Sequence, residues 1–266
     1  MDTQPTPHRN GCVLRKAVHG RAKSDAERMR KYRRNKTARA QREAARRERE
    51  ERDRAAAIAG AADATSTIYH VGIDDISPNM LPDSSVDAII TDPPYPKEYL
   101  RLFSSLSRLA WRVLKPGGWC VVMTGAVYLP EVIHRLGECL DYRWLHGVAT
   151  PGGGNARISS VGVFQSYKPI LIYQKPPMSK IREWSSDLIK AEANGHDKQL
   201  HKWQQNESVF AELVERFTIA GDLVADPFLG SGTTGRASNR QGRHFWGCDI
   251  DPECATEKRK LKELLE

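Results

Sequence analysis

The amino-acid sequence predicts an α/β fold in which a mostly parallel sheet is covered by helices on both faces. From Thr67 onward, short apolar segments with the character of strands alternate with longer segments whose apolar residues recur at helical spacing. This alternation is typical of parallel strands that are joined by helical crossovers. Apolar residues make up 39 % of the 266 residues, which is enough to form a core in a domain of about 200 residues.

Strands and helices can be assigned from Thr67 to the end of the chain. The predicted strands cover residues 67–71, 86–91, 119–123, 144–149, 170–173, 223–225 and 245–248, and the predicted helices cover residues 99–114, 129–140, 208–217, 233–241 and 252–265. Residues 115–118, Lys-Pro-Gly-Gly, are expected to end the first helix, because proline and glycine disfavour its continuation. Residues 151–155 are expected to form a loop.

The first quarter of the chain differs from the rest in charge. Residues 1–60 carry 18 Lys and Arg but 8 Asp and Glu, so the net charge of +8 for the whole chain resides in this segment. Residues 1–23 are expected to be disordered, and residues 24–66 to form a basic helix and a linker, with Ser24 as the N-cap and Glu27 as its partner. This helix either has no specific role or contacts a polyanion such as nucleic acid.

Several classes of protein do not fit the sequence. Its five cysteines include no C-x-x-C pair, so neither a disulfide framework nor a zinc ribbon is expected, and no metal site is predicted. No run of 18 apolar residues is present, which argues against a transmembrane helix. The first residues lack the apolar core of a signal peptide, so the protein is expected in the cytoplasm.

A glycine-rich turn between a predicted strand and a predicted helix indicates a ligand-binding loop at residues 226–234. Glycines let the backbone approach a ligand closely, and the helix N-terminus offers free N–H groups. A triphosphate does not suit this loop, because no Lys follows Gly232 and Asp226 would repel it. Asp226 suits a cationic ligand such as S-adenosyl-L-methionine, and Asp249, 23 residues further on, suits the ribose of a nucleoside. The alternative is a tight structural turn.

A second motif, Asp92-Pro93-Pro94-Tyr95, directly follows a predicted strand. It should therefore lie at the carboxyl end of the sheet, where α/β folds bind ligands. The lone pair of an aromatic amino group is delocalised into its ring, and Asp92 and the Pro93 carbonyl could accept its hydrogens and make the nitrogen more nucleophilic. Tyr95 offers a face on which a base can stack, and a base in a duplex would have to flip out to reach it. Alternatively, the motif merely ends a strand.

Together these motifs resemble those of the amino-group DNA methyltransferases, specifically the β class with its permuted motif order. TDPPY at residues 91–95 resembles the catalytic motif, DPFLGSGTT at residues 226–234 with GCD at residues 247–249 resembles the cofactor motifs, and VLKPGG at residues 113–118 is a further hallmark. The resemblance runs from about Tyr69 to Leu264. It implies that residues 67–266 are a methyltransferase domain.

The resemblance implies a Rossmann-like S-adenosylmethionine methyltransferase fold with a seven-stranded sheet, in which a strand from the end of the domain has moved to its front. It also implies that Asp249 holds the ribose of the cofactor and that Asp74 or Asp75 lies near the adenine. Further residues are implied to line the cofactor, namely Asp226, Phe228, Gly230, Ser231, Gly232, Thr233 and Thr234.

One segment departs from the family pattern. Many relatives have a Lys-Pro pair where residues 201–206 read His-Lys-Trp-Gln-Gln-Asn, and this variant is similar to methylases of phages and mobile elements. Trp203 and Gln205 are therefore candidate cofactor contacts, with ordinary packing as the alternative.

The aspartate of the DPPY motif favours adenine N6 as the methylated atom, with cytosine N4 as the alternative. The implied partner is double-stranded DNA, recognised by residues 174–202 with help from residues 152–166, and the protein is expected to be a monomer or a homodimer. Five basic residues could contact phosphates, namely Lys168, Lys175, Lys180, Arg182 and Lys190. Two other interpretations stay open: a DNA-binding regulator on an inactive methylase scaffold, and an RNA methyltransferase.

Overall fold

The computed structural model describes residues 64–149, 156–159, 161–178, 185–191, 206–252 and 254. The predicted disordered segment 1–23, the predicted basic helix, the predicted loop 151–155 and nearly all of the predicted final helix lie outside the described residues. In the part of the chain that is described, no helix is long and apolar enough to cross a membrane.

The described residues form an eight-stranded sheet, a two-stranded hairpin, four α-helices and two short 3-10 helices. The strands are β1 (Ser66–His70), β2 (Val86–Thr91), β3 (Leu114–Met123), β4 (Asp141–Ala149), β5 (Ala156–Ile158), β6 (Val163–Gln165), β7 (Tyr167–Gln174), β8 (Leu188–Lys190), β9 (Leu223–Asp226) and β10 (His244–Asp249). The α-helices are α1 (Arg101–Val113), α2 (Leu129–Leu136), α3 (Glu207–Phe217) and α4 (Thr233–Arg240), and the 3-10 helices are η1 (Ile73–Asp75) and η2 (Lys97–Tyr99).

The sheet has the strand order β1-β10-β9-β2-β3-β7-β4-β8. Neighbouring strands are parallel except where β7 pairs with β3 and with β4. The prediction of a mostly parallel α/β sheet is therefore confirmed, but the predicted count of seven strands is wrong. An eighth strand is present because Leu188–Lys190 pairs with the end of β4. Ile189 is the one buried residue of this short strand, and one buried residue is too few to produce the alternating pattern from which a strand is predicted.

Two further features concern the ends of the sheet and its surroundings. The hairpin of β5 and β6 is antiparallel and separate from the main sheet, and the sequence predicted no strand there.

At one edge of the sheet, β1 pairs in parallel with β10, with Ser66 opposite Phe245 and His70 opposite Asp249. The first strand of the domain thus lies beside the last described strand, while the permuted order of the motifs stays a prediction.

Helix α1 forms because its apolar residues recur at helical spacing on one face. Phe103, Leu106, Ala110 and Val113 are all buried, which matches the i, i+3, i+7 pattern of a helix that packs on a sheet. The helix begins two residues later than predicted, because residues 97–99 form η2 instead. The helix ends where β3 begins at Leu114, as predicted from the Pro-Gly-Gly sequence that follows.

The alternation of side chains along the central strands creates one core on each face of the sheet. Val122 points to the core that contains Phe103 of α1, and the neighbouring Val121 points to the core that contains Phe210 of α3 and Ala237 of α4. Adjacent residues of a strand face opposite sides, so both faces are covered by helices. This arrangement confirms the predicted layers.

Gly247 in β10 provides a test of how tightly Phe245 and Leu229 pack beside this strand. A Cβ atom at this position would lie 2.8 Å from Cε1 of Phe245 and 3.0 Å from Cδ1 of Leu229. Phe245 is buried, so its ring has no free space into which to shift. We expect Gly247→Ala to lower the free energy of unfolding by about 1–3 kcal/mol, as measured by urea denaturation.

The control is a double-mutant cycle with Phe245→Leu, which shortens the side chain that the new methyl group would meet. The cost of Gly247→Ala should shrink in that background, because the two changes share a contact. Wild-type stability of the single variant would contradict this account of the packing.

Candidate active site

The carboxyl ends of β1, β10, β9 and β2 lie side by side at one edge of the sheet, since these strands are neighbours and parallel. A cavity of about 490 Å³ opens at this edge, within the size range of small-molecule sites. Its lining includes eleven of the residues predicted from the sequence, namely Asp74, Asp75, Asp92, Pro94, Asp226, Phe228, Gly230, Ser231, Thr233, Thr234 and Asp249. The two motifs therefore meet in one cavity.

Asp226, at the end of β9, connects three parts of the site. Its Oδ1 accepts hydrogen bonds from Thr91 Oγ1 at 2.6 Å and from the Phe228 N–H at 3.1 Å, and its Oδ2 accepts one from Thr234 Oγ1 at 2.7 Å. Burial raises the pKa of Asp226 to about 6, although these hydrogen bonds oppose the rise. The side chain thus ties the end of β2 to the glycine loop and to the first turn of α4.

The glycine loop itself depends on backbone conformations that favour glycine. Gly230 and Gly232 have φ angles of 49° and 75°, in the left-handed region where a side chain is strained. The Gly230 N–H donates to Asp249 Oδ2 at 2.8 Å, and the Asp251 N–H donates to Oδ1 of the same carboxylate at 2.9 Å. Asp249 therefore fixes the loop from β10. Gly232 caps α4 but does not line the cavity.

Arg236 of α4 contacts this loop and was not predicted as a site residue. Its guanidinium is buried, donates to the Ser231 carbonyl at 2.6 Å and to Thr233 Oγ1 at 3.2 Å, and lies 3.7 Å from a carboxylate oxygen of Glu207. It therefore holds the loop against the start of α3. The signal in the sequence that could have identified Arg236 is an arginine among small residues on a helix that is buried.

The Asp92–Tyr95 motif leaves the end of β2 and turns back on itself. The Tyr95 hydroxyl donates a hydrogen bond to Asp92 Oδ1. Burial raises the pKa of Asp92, whereas the charge of Lys168 and the bond from Tyr95 lower it. Burial and the neighbouring Asp92 raise the pKa of Tyr95. Pro93 is buried, and the ring of Tyr95 packs against Gly125, where a Cβ atom would lie 3.3 Å from it.

The remaining predicted residues fall at the rim of the cavity or outside the described residues. Asp74 lies in η1 and pairs with Arg101 at 3.1 Å, and both residues line the cavity. Both side chains are largely exposed, so this ion pair lies at the mouth. Trp203 and Gln205 lie outside the described residues.

The charges of the cavity define the ligand that it can hold. Five of its lining residues are acids, namely Asp74, Asp75, Asp92, Asp226 and Asp249, whereas Arg101 is the basic residue that lines it among the described residues. This balance repels phosphates and favours a cation. Apolar residues such as Phe228 and Ile73 offer surfaces for a planar ring. These acidic and apolar side chains thus fit a nucleoside that carries positive charge. No group of three or more potential metal ligands occurs in the described ranges.

Comparison with solved structures shows the same fold in DNA methyltransferases. The crystal structure of the M1.HpyAVI–SAM complex is similar with a TM-score of 0.61 and 24 % identity, covering 74 % of this chain and 98 % of that one. The PvuII DNA methyltransferase, which is cytosine-N4-specific, is similar with a TM-score of 0.62 and 19 % identity, covering 76 % of this chain and 92 % of that one.

Sequence relatives are type II methyltransferases. M.HpaI of Haemophilus parainfluenzae is 24 % identical over 65 % of this chain and 67 % of its own length, and M2.DpnII of Streptococcus pneumoniae is 28 % identical over 59 % and 64 %. This chain thus spans about two thirds of the length of these relatives. The N6 and N4 methyltransferase family, described as DNA methylase, matches residues 68–259. Because this match covers most of the chain and confirms the resemblance, the protein belongs to the DNA methylase family.

Proposed function

We propose that the protein is a DNA methyltransferase that moves the methyl group of S-adenosyl-L-methionine to the exocyclic amino group of a flipped base. The observation that carries this proposal is that Asp92 and the glycine loop line one acidic cavity. Family membership supports the proposal. The intact acids Asp92, Asp226 and Asp249 argue against a regulator on an inactive scaffold.

The cavity suits the proposed cofactor in its charge and shape. When bound, S-adenosyl-L-methionine supplies a methyl group on a sulfonium, which becomes a neutral thioether as the methyl group leaves. Asp249 would accept hydrogen bonds from the ribose hydroxyls, Asp74 would lie near the adenine, and Phe228 would contact the ring; all three residues line the cavity. Trp203 and Gln205 are proposed for the methionine end. The SAM complex of M1.HpyAVI, a protein of similar fold, supports this choice.

The proposed mechanism assigns the base-binding steps to residues 92–95. The Asp92 carboxylate and the Pro93 carbonyl accept the two hydrogens of the amino group and localise the nitrogen lone pair for attack on the methyl carbon. Tyr95 offers its ring for stacking. The nitrogen sheds one proton after it is methylated, and Asp92 is suited to take this proton, because burial already raises its pKa.

Adenine N6 is the proposed target atom, since the motif begins with Asp92. Cytosine N4 is the second candidate, because the cytosine-N4-specific PvuII enzyme has a similar fold. Both atoms are amino nitrogens beside a ring nitrogen, so the same pair of acceptors serves either base.

The test is incubation of the full chain with labelled S-adenosyl-L-methionine and unmethylated double-stranded DNA, followed by analysis of the nucleosides. The expected product is N6-methyladenine. N4-methylcytosine would establish the second candidate. Absence of any methylated nucleoside, in a preparation that binds both the cofactor and the DNA, would overturn the proposed function.

The basic segment at the start of the chain is proposed to contact the DNA backbone, because the excess positive charge of the chain lies in residues 1–60. We expect deletion of residues 1–57 to weaken DNA binding and to flatten its dependence on salt, because fewer counterions are then released. Fluorescence anisotropy at several salt concentrations measures both quantities. An unchanged salt slope would contradict a role in DNA binding.

A further inference from the structure

Lys168 reaches the active site from the reversed strand of the sheet. Since β7 is antiparallel to β3, its first residues lie at the edge where β2, β9 and β10 end. The Lys168 Nζ atom lies 5.7 Å above the centroid of the Tyr95 ring. Its charge also acts on Asp92. A residue whose sequence context suggests phosphate binding therefore lies at the DPPY motif.

The backbone holds this lysine firmly in place. Lys168 pairs with Val148 in the register of β4 and β7. The next residue, Pro169, accepts a hydrogen bond through its carbonyl from the Thr124 N–H at 3.0 Å. Gly125, which follows Thr124, packs against the Tyr95 ring. The sheet thus fixes the backbone of Lys168 beside the segment that packs against the Tyr95 ring.

We propose that Lys168 is a positioning residue of the methyltransferase site, which keeps Asp92 ionised and the Tyr95 side chain in place before the base enters. This inference rests on the proposed function. An ionised Asp92 is the stronger acceptor for an amino hydrogen, because a protonated carboxyl has lost its negative charge and presents a donor on one oxygen. A cation that stabilises the carboxylate therefore keeps the site ready for the base.

The other charged groups that the described residues place around Asp92 do not provide this effect. Asp226 on β9 and Asp249 on β10 line the same cavity, and their negative charges would favour a protonated neighbour. Arg101 is engaged with Asp74 at the mouth of the cavity. Tyr95 stabilises the carboxylate through its hydrogen bond, but a base that enters the site competes for that oxygen. Within the described ranges, Lys168 is the cation whose charge opposes the effect of burial on the pKa of Asp92.

The test compares Lys168→Gln, which removes the charge, with Lys168→Arg, which retains it. The rate of methyl transfer at saturating DNA and cofactor is measured as a function of pH. The Gln variant should lose activity selectively at low pH, with a severalfold larger loss at about pH 6 than at about pH 8.5, because removing an opposite charge raises the pKa of Asp92. The Arg variant should retain the wild-type profile.

The matched control is Lys190→Gln in β8, which removes an exposed lysine on another strand and shows the effect of losing a candidate phosphate contact. A phosphate contact would raise the KM for DNA and lower its salt slope by about one, without changing the pH profile. If Lys168→Gln behaves in that way, the positioning role is wrong. If the Gln variant does not fold, as judged by circular dichroism and cofactor binding, Lys168→Met keeps the aliphatic stem and serves in its place. Failure of the proposed function is distinguishable, because the wild-type protein would then yield no methylated nucleoside at any pH.

Discussion

Asp92→Ala should lower the rate of methyl transfer by about a hundredfold to a thousandfold, the size of the effect when one preorganised hydrogen-bonding group is removed from an active site. The loss should fall on the rate at saturating substrate, because the carboxylate acts on the amino nitrogen as it becomes nucleophilic. Affinity for S-adenosyl-L-methionine should remain close to that of the wild type. Single-turnover transfer and calorimetric titration of the cofactor measure the two quantities.

Asp83→Ala is the matched control for this experiment. Asp83 is also an aspartate, but it lies exposed before β2 and pairs with Arg112 at 2.9 Å, outside the cavity lining. Its replacement should leave the rate of transfer unchanged. Near-normal activity of Asp92→Ala would refute the mechanism, whereas joint loss of transfer and cofactor binding would indicate that Asp92 shapes the cofactor site instead.

Asp226→Ala should destabilise the protein and abolish tight cofactor binding. The substitution leaves the hydroxyls of Thr91 and Thr234 and the Phe228 N–H without their shared acceptor. Loss of these bonds should lower the free energy of unfolding by about 3 kcal/mol or more, since a hydrogen bond to a charged group contributes about 1.5–3 kcal/mol. Urea denaturation measures the stability, and equilibrium titration measures the cofactor affinity.

Asp226→Asn separates the shape of this residue from its charge. The amide keeps an acceptor for Thr91 and can donate to Thr234, so it should retain more stability than alanine. Because burial raises the pKa of the native carboxyl to about 6, its proton stabilises the folded state at low pH. That contribution is lost as the pH rises through about 6. The free energy of unfolding of the wild type should therefore fall relative to that of the Asn variant as the pH rises through about 6. Parallel pH dependences of the two free energies would contradict the raised pKa of Asp226.

The sequence was sufficient to predict which acids converge at one edge of the sheet. Asp92, Asp226 and Asp249 each end or directly follow a strand, and parallel neighbours place such ends together. The pairing of β1 with β10 also followed the expectation that the first strand completes the sheet.

Other features depend on contacts that no local pattern records. The three-residue strand β8 exists because the edge of β4 is available for pairing. Lys168 reaches Tyr95 only because β7 runs against its neighbours, and strand direction is not encoded in apolar periodicity. Arg236 is buried because the Ser231 carbonyl and Glu207 lie around it, which depends on how α3 and α4 pack.

The pairing of the first strand with the last described strand has a consequence for synthesis of the protein. Thr65 and His244, which meet through a hydrogen bond beside these strands, are 179 positions apart. The ribosome synthesises β1 long before β10, so β1 cannot pair with β10 until the residues between them have been translated. Contacts of such sequence separation slow folding. The cofactor can therefore stabilise the domain only late in translation, after Asp249 has left the ribosome.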